Sequence, residues 1–160
     1  MSRFAFAFVV ILVTLFAAEL TPAGQAWFVD PWTSLVARTA TSAAAVFDPA
    51  VITSGATIAS TRTGFAVTIL SGCNGLEAIL VLVAAILAYP APWKSRLLGL
   101  AAGSIAIAVL NLVRIVSLFY IGQWNLHAFR WAHLYVWQVL IMLDSLIVWL
   151  VWLRTLPKPA

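Results

Sequence analysis

Three side chains in this sequence belong to the chemistry of covalent catalysis: the thiol of Cys73, the guanidinium of Arg114 and the imidazole of His133. Cys73 is the only cysteine, and His133 is one of two histidines. An imidazole can take and return the proton of a thiol nucleophile. A guanidinium can stabilise the oxyanion of a tetrahedral intermediate or hold a substrate carbonyl. The reaction such a set suggests is acyl transfer from a peptide through a thioester.

Cys73 lies in Ser71-Gly72-Cys73-Asn74-Gly75. Gly72 and Gly75 bracket it and permit a tight turn with close approach of another backbone. The residues after it read as a helix, whose N-terminus turns positive potential toward the sulfur, a setting that favours a thiolate. The bland alternative is a small buried hydrophobe. Arg114 interrupts an apolar run, where an arginine costs about 2.5–3.5 kcal/mol at mid-membrane on insertion scales. It must face protein or water. Its structural alternative is an ion pair with Glu77, one turn into the preceding helix. Asn111 lies three residues before Arg114, on a neighbouring part of the same helix face, placed to hold the guanidinium or to bond across helices. His133 is expected to open the last helix, with Trp137 a turn later. Asp144 shares that face about three turns on, ~16 Å along the axis. It reads as buried polar glue first and as a functional acid second. His127 reads as an interfacial polar group.

The elements that must position these groups are membrane elements. The chain has 160 residues, 64% hydrophobic and 9% charged, with mean hydropathy +1.05. A soluble domain carries about 25% charged residues, and a globule this small has too little interior for so much apolar surface. A free cytosolic domain and a disordered chain are excluded. A nucleic-acid binder is disfavoured too, because the net charge of +4 comes from nine scattered Lys and Arg and makes no patch. One cysteine excludes an internal disulfide, a CxxC pair and a cysteine-built zinc site. No dinucleotide or phosphate-binding loop is present, and neither a metal nor a cofactor is expected.

The fold class expected is an all-α integral membrane protein with about four transmembrane helices, over residues 4–20, 73–89, 97–120 and 133–153, each near the ~20 residues that cross a bilayer core. The first segment also has features of a cleaved signal peptide: Arg3, an apolar core, and Gly24-Gln25-Ala26. Its apolar run exceeds the usual signal-peptide core. Arg3, Lys94, Arg96, Arg154 and Lys158 fall on one side, which the positive-inside rule makes the cytoplasm. The N- and C-termini are then both inside, and residues 21–72 form an extracytoplasmic insertion in a single membrane domain spanning 1–160. Within it, residues 31–47 read as an amphipathic helix with Trp32, Leu35, Val36 and Phe47 as its apolar positions. Residues 51–59 and 64–70 read as a β-hairpin that delivers the chain to Cys73.

At these residues the sequence resembles the exosortase/archaeosortase family of membrane-embedded cysteine transpeptidases. The stretches that carry the resemblance are Ser71-Gly-Cys-Asn-Gly75, Asn111-Leu-Val-Arg114, and His133 within Ala132-His-Leu-Tyr-Val-Trp-Gln138. The last run and the short length look closest to the exosortase H subgroup. Asn74 departs from the family's commoner Ser or Ala after the cysteine. The resemblance implies an enzyme of a Gram-negative inner membrane, with its site facing the periplasm. It would cleave a C-terminal sorting signal (short motif, transmembrane helix, basic cluster) on secreted proteins and transfer them to an acceptor. It implies Cys73 as nucleophile, His133 as general acid/base and Arg114 as the oxyanion or substrate-orienting group. Gly72, Asn74, Gly75, Glu77, Asn111 and Trp137 are expected to support substrate binding. The lipid bilayer and the sorting signal are the expected partners; the oligomeric state is left open. Two other readings compete: a non-enzymatic membrane scaffold, in which Cys73 only packs, and a proton-linked carrier built on Glu77, Arg114 and Asp144.

Overall fold

A computed structural model of the protein describes residues 2–156; Lys158, one of the residues used to orient the chain, lies outside them. Helix α1 is Ser2–Glu19. A bend of 74° separates it from α2, Pro22–Ala45. The new start is built locally. Thr21 Oγ1 accepts the Gly24 N–H at 2.9 Å, and Pro22 occupies the first helical position, where its missing N–H costs nothing.

The insertion helix was expected to begin at Pro31. Instead α2 runs through Pro31, because a π turn at Gln25–Val29 widens the helix just where proline would collide with the preceding turn. Its inward face also differs. Thr33, Val36, Ala37, Ala40 and Ala44 are buried, whereas Leu35 and Phe47 are exposed. Small residues let α2 press closely on its neighbours, so the larger apolar residues turn outward.

Three short strands follow: β1 Val51–Ser54, β2 Thr57–Ser60 and β3 Ala66–Thr68. They form an antiparallel meander in the order β1-β2-β3. Val51 pairs with Ser60 and Ser54 with Thr57, while Thr57 pairs with Thr68 and Ala59 with Ala66. The single strand expected over 51–59 is therefore itself a hairpin. Its two-residue turn is Gly55-Ala56, with Gly55 at φ 59°, the backbone that a glycine in the first central position supplies. The second expected strand becomes the third strand of the sheet.

The chain then makes a turn and enters α3, Leu76–Ala88. Thirteen residues span about 20 Å, less than a bilayer core of about 30 Å. The span expected over 73–89 is shortened at its start because Gly72 and Gly75 both hold positive φ, 85° and 78°, and residues 72–75 stay a turn. Helix α4, Trp93–Trp124, extends beyond its expected limits of 97–120 at both ends. Helix α5, Leu126–Thr155, starts seven residues before His133. Asn125 caps it, its Oδ1 accepting the N–H of His127 at 2.8 Å and of Ala128 at 3.1 Å. His133 thus lies inside a helix, in a second π turn, Ala132–Val136, rather than at a helix start.

Helices α4 and α5 are each long and apolar enough to cross a membrane, and the bent pair α1–α2 meets the same criterion jointly. The architecture is a mostly helical membrane protein with two to three candidate spans and one small sheet. Among the described residues its core forms three clusters, the smallest of them Val29 of α2 with Leu76 and Leu80 of α3. Val36, Ala37, Ala40 and Ala44 of α2 join Val51, Ile58 and Ile69 of the sheet region and Ile115 and Phe119 of α4. Away from the sheet, Ala78, Leu82 and Ile86 of α3 pack with Ile107 of α4 and Trp152 of α5. The Trp152 indole N–H finds a partner at Ser95 O, 2.8 Å away. The Cys73 turn lies between β3 and α3 in the chain, and Cys73 packs against the sheet-side cluster.

Candidate active site

The turn that carries Cys73 is held by hydrogen bonds at Gly72, Cys73 and Asn74. The Cys73 N–H donates to Leu70 O at 3.0 Å. The Gly72 N–H donates to the Glu77 carboxylate. Asn74, 1% exposed, is bonded in three directions. Its Oδ1 accepts the Leu76 N–H at 2.9 Å, satisfying a donor of the first turn of α3. Its Nδ2 donates to Thr33 Oγ1 at 2.9 Å, and its carbonyl accepts the Trp32 indole N–H at 3.1 Å. Gly75 lies against Asn111: a Cβ there would come within 3.0 Å of the Asn111 Cγ.

Arg114 reaches this turn from α4. It is 2% exposed, and its Nη2 donates to Cys73 Sγ at 3.7 Å. Its Nη1 is buried without a hydrogen-bond partner among the described residues. Glu77 does not pair with it: the one ion pair among the described residues is Arg62–Asp48, 2.8 Å, on the sheet side. The expected alternative of a Glu77–Arg114 bridge is thereby corrected. Glu77 is taken up instead by the Gly72 N–H, five residues back, because the turn folds over the first turn of α3. A buried guanidinium with sulfur as its only hydrogen-bond partner among the described residues is poised to stabilise negative charge on the sulfur or on an oxygen bonded beside it.

His133 comes to the same place from α5. A cavity of about 130 Å³ is lined by Cys73, Arg114, Ile115, Leu118, Phe129, His133 and the segment Val67–Leu70. The imidazole stacks parallel on Phe129, with centroids 5.7 Å apart. Its Nδ1 is buried and unpartnered among the described residues, and it makes no hydrogen bond to Cys73. The spacing of Phe129 and His133, four residues on one helix, brings their rings together.

The other candidates separate. Asn111 is 3% exposed, yet its Oδ1 and Nδ2 have no partner among the described residues. It therefore neither holds the guanidinium nor bonds across helices. Trp137 is half-buried and lies outside the cavity wall. Asp144 lies further along α5, half-buried and outside the same wall. His127 is exposed in the first turn of α5. Sequence reasoning missed Thr33 and Phe129. Phe129 had a readable signal in its spacing from His133, whereas nothing in the local sequence marks Thr33 as the partner of a turn some forty residues away. No group of His, Cys, Asp and Glu that could hold a metal occurs among the described residues.

Fold and cavity together define a class: a small polytopic helical membrane protein whose single cysteine meets a buried arginine and shares a cavity with a histidine. The family model for transmembrane exosortase matches residues 1–154 of the chain. The protein belongs to the transmembrane exosortase family. No curated protein and no solved structure matches it.

Proposed function

We propose that this protein is a membrane-embedded cysteine transpeptidase that cleaves the C-terminal sorting signal of secreted proteins and passes them to an acceptor. The observation that carries the reading is the 3.7 Å contact between Arg114 Nη2 and Cys73 Sγ, made by a guanidinium that has no other side-chain partner among the described residues.

In the proposed reaction, His133 takes the proton of the Cys73 thiol, and the resulting thiolate attacks the scissile carbonyl carbon. The carbon–oxygen π electrons move to the oxygen, and Arg114 stabilises the oxyanion. His133 donates a proton to the leaving amine as the carbon–nitrogen bond breaks. The products are a thioester on Cys73 and a released C-terminal fragment. An acceptor nucleophile then adds to the thioester, gives its proton to His133, and expels the Cys73 thiolate. Family membership supports the reaction class.

The proposed topology has four membrane crossings, both termini in the cytoplasm, and the Cys73 turn toward the periplasmic side of an inner membrane. Arg3, Lys94, Arg96 and Arg154 support it, since they fall on one side of such a path. The shortness of α3 supports a proposed position of the Cys73 turn inside the outer leaflet, within reach of a substrate helix entering from the bilayer.

The test is processing of a secreted reporter that ends in a short motif, a transmembrane helix and a basic cluster. Full-length reporter should accumulate with Cys73→Ala, Arg114→Ala and His133→Ala variants that still insert. Undiminished processing by Cys73→Ala would sink the mechanism.

A further inference from the structure

We infer that helix α2 is the positioning element for the nucleophile, and that Trp32 and Thr33 are its positioning residues. The inference rests on Cys73 being the nucleophile of the proposed reaction.

A run of buried hydrogen bonds leads from α2 to the turn. Thr33 Oγ1 donates to Val29 O at 2.7 Å and accepts from Asn74 Nδ2 at 2.9 Å. Asn74 Oδ1 then accepts the Leu76 N–H at 2.9 Å. Val29, Thr33, Asn74 and Leu76 are all buried. Trp32 adds a second hold, its indole donating to the Asn74 carbonyl at 3.1 Å. The side chain and the carbonyl of the residue after Cys73 are thus both tied to two adjacent residues of α2.

The consequence is directional. Planarity of the trans peptide fixes the Gly75 N–H opposite to the Asn74 carbonyl. With that carbonyl held by Trp32, the Gly75 N–H points away from α2. Gly72 and Gly75 sit at φ 85° and 78°, a conformation glycine adopts without steric cost, and neither has a side chain with which to anchor the turn to α2. Hydrogen bonds to Asn74 therefore do work that the glycines cannot. They set the path of the chain through Cys73 and so the direction in which Sγ faces Arg114.

A purely cohesive role for these bonds would change how much protein folds, but not how each folded molecule reacts. The distinguishing readout is the per-molecule rate at which a membrane-impermeant maleimide labels Cys73 in the full chain, measured beside reporter processing and a melting curve. Thr33→Val keeps the shape and removes the hydroxyl; Thr33→Ser keeps the hydroxyl. Thr33→Val removes both buried hydrogen bonds of the hydroxyl, of which the one from Asn74 Nδ2 holds the turn; processing should slow by about tenfold, with the labelling rate altered several-fold. Thr33→Ser should restore both. Trp32→Phe, which removes the indole N–H contact together with part of the ring packed against the core, should shift labelling in the same sense. Labelling and processing per folded molecule that match the native chain in both Thr33→Val and Trp32→Phe would overturn the inference. So would equal impairment of Thr33→Val and Thr33→Ser. Cys73→Ala keeps the two readings apart: if it still processes the reporter, the proposed reaction falls, whereas unchanged labelling of the α2 variants removes only the positioning role.

Discussion

Arg114 Nη2 stands 3.7 Å from Cys73 Sγ, and no carboxylate competes for that guanidinium among the described residues. A charge buried to 2% exposure without a counter-ion is expensive to fold around. Its retention makes sense where negative charge develops during a reaction. Arg114→Met, similar in length and apolar, should therefore separate stability from activity. Its melting temperature in detergent should rise, and reporter processing should fall about 10²–10³-fold, the range for losing an oxyanion donor. A variant that is both less stable and fully active would contradict the assignment.

Asn111 presents the same logic in neutral form. Both polar atoms of its amide are buried without partners among the described residues, and an unsatisfied buried group costs about 1–3 kcal/mol. Asn111→Leu replaces the amide by an apolar group of similar size. The expected outcome is a gain of about 1–2 kcal/mol in unfolding free energy, read by denaturant titration in mixed micelles. A loss of stability would show that the amide is paired in the folded protein.

How far the sequence carries the reader depends on the range of the interaction. Arg114 is conspicuous because charges are few and it sits in an apolar run. Cys73, flanked by Gly72 and Gly75, announces a turn, and the turn is there. The elements are legible too, since apolar runs and Pro90 and Pro92 delimit α3 and α4. Other features were misread for local reasons. His133 is not the helix start expected of it, because Asn125 caps the helix eight residues earlier. The strand expected over 51–59 contained its own turn at Gly55. What stayed hidden was long-range: the Thr33–Asn74 bond and the meeting of Gly75 with Asn111 join residues whose separation no periodicity reveals.

Gly75 and Gly72 should respond differently to alanine although both have positive φ. At Gly72 the nearest atom to an added Cβ is Glu77 Oε1 at 3.9 Å, so only backbone strain of about 1–2 kcal/mol applies. At Gly75 the Cβ would also press on Asn111 at 3.0 Å. Gly75→Ala should be the more destabilising. Combining it with Asn111→Ala removes the Cγ and Nδ2 contacts but keeps the Cβ at 3.1 Å, so it should recover part of the steric cost, giving a coupling energy of about 0.5–3 kcal/mol in a double-mutant cycle. Strict additivity would show that the two residues do not touch.

Phe129 supplies the last test because it orients His133 without any polar atom of its own. Its ring lies parallel to the imidazole, 5.7 Å between centroids, and also meets Phe65 edge-on at 6.2 Å. The imidazole makes no hydrogen bond to Cys73, so stacking is what holds its ring plane toward the cavity. Phe129→Leu keeps an apolar wall but removes the flat surface, a loss of about 0.5–1.5 kcal/mol of aromatic pairing. Proton transfer depends on the ring's angle, so the chemical step should slow about three- to tenfold while substrate binding is preserved. Single-turnover reporter cleavage, followed against substrate concentration, separates the two. Phe129→Tyr retains the stack and should keep the native rate. If Phe129→Leu instead weakened binding and left the cleavage step unchanged, Phe129 would be a substrate contact, and the orientation of His133 would have to come from elsewhere on α5.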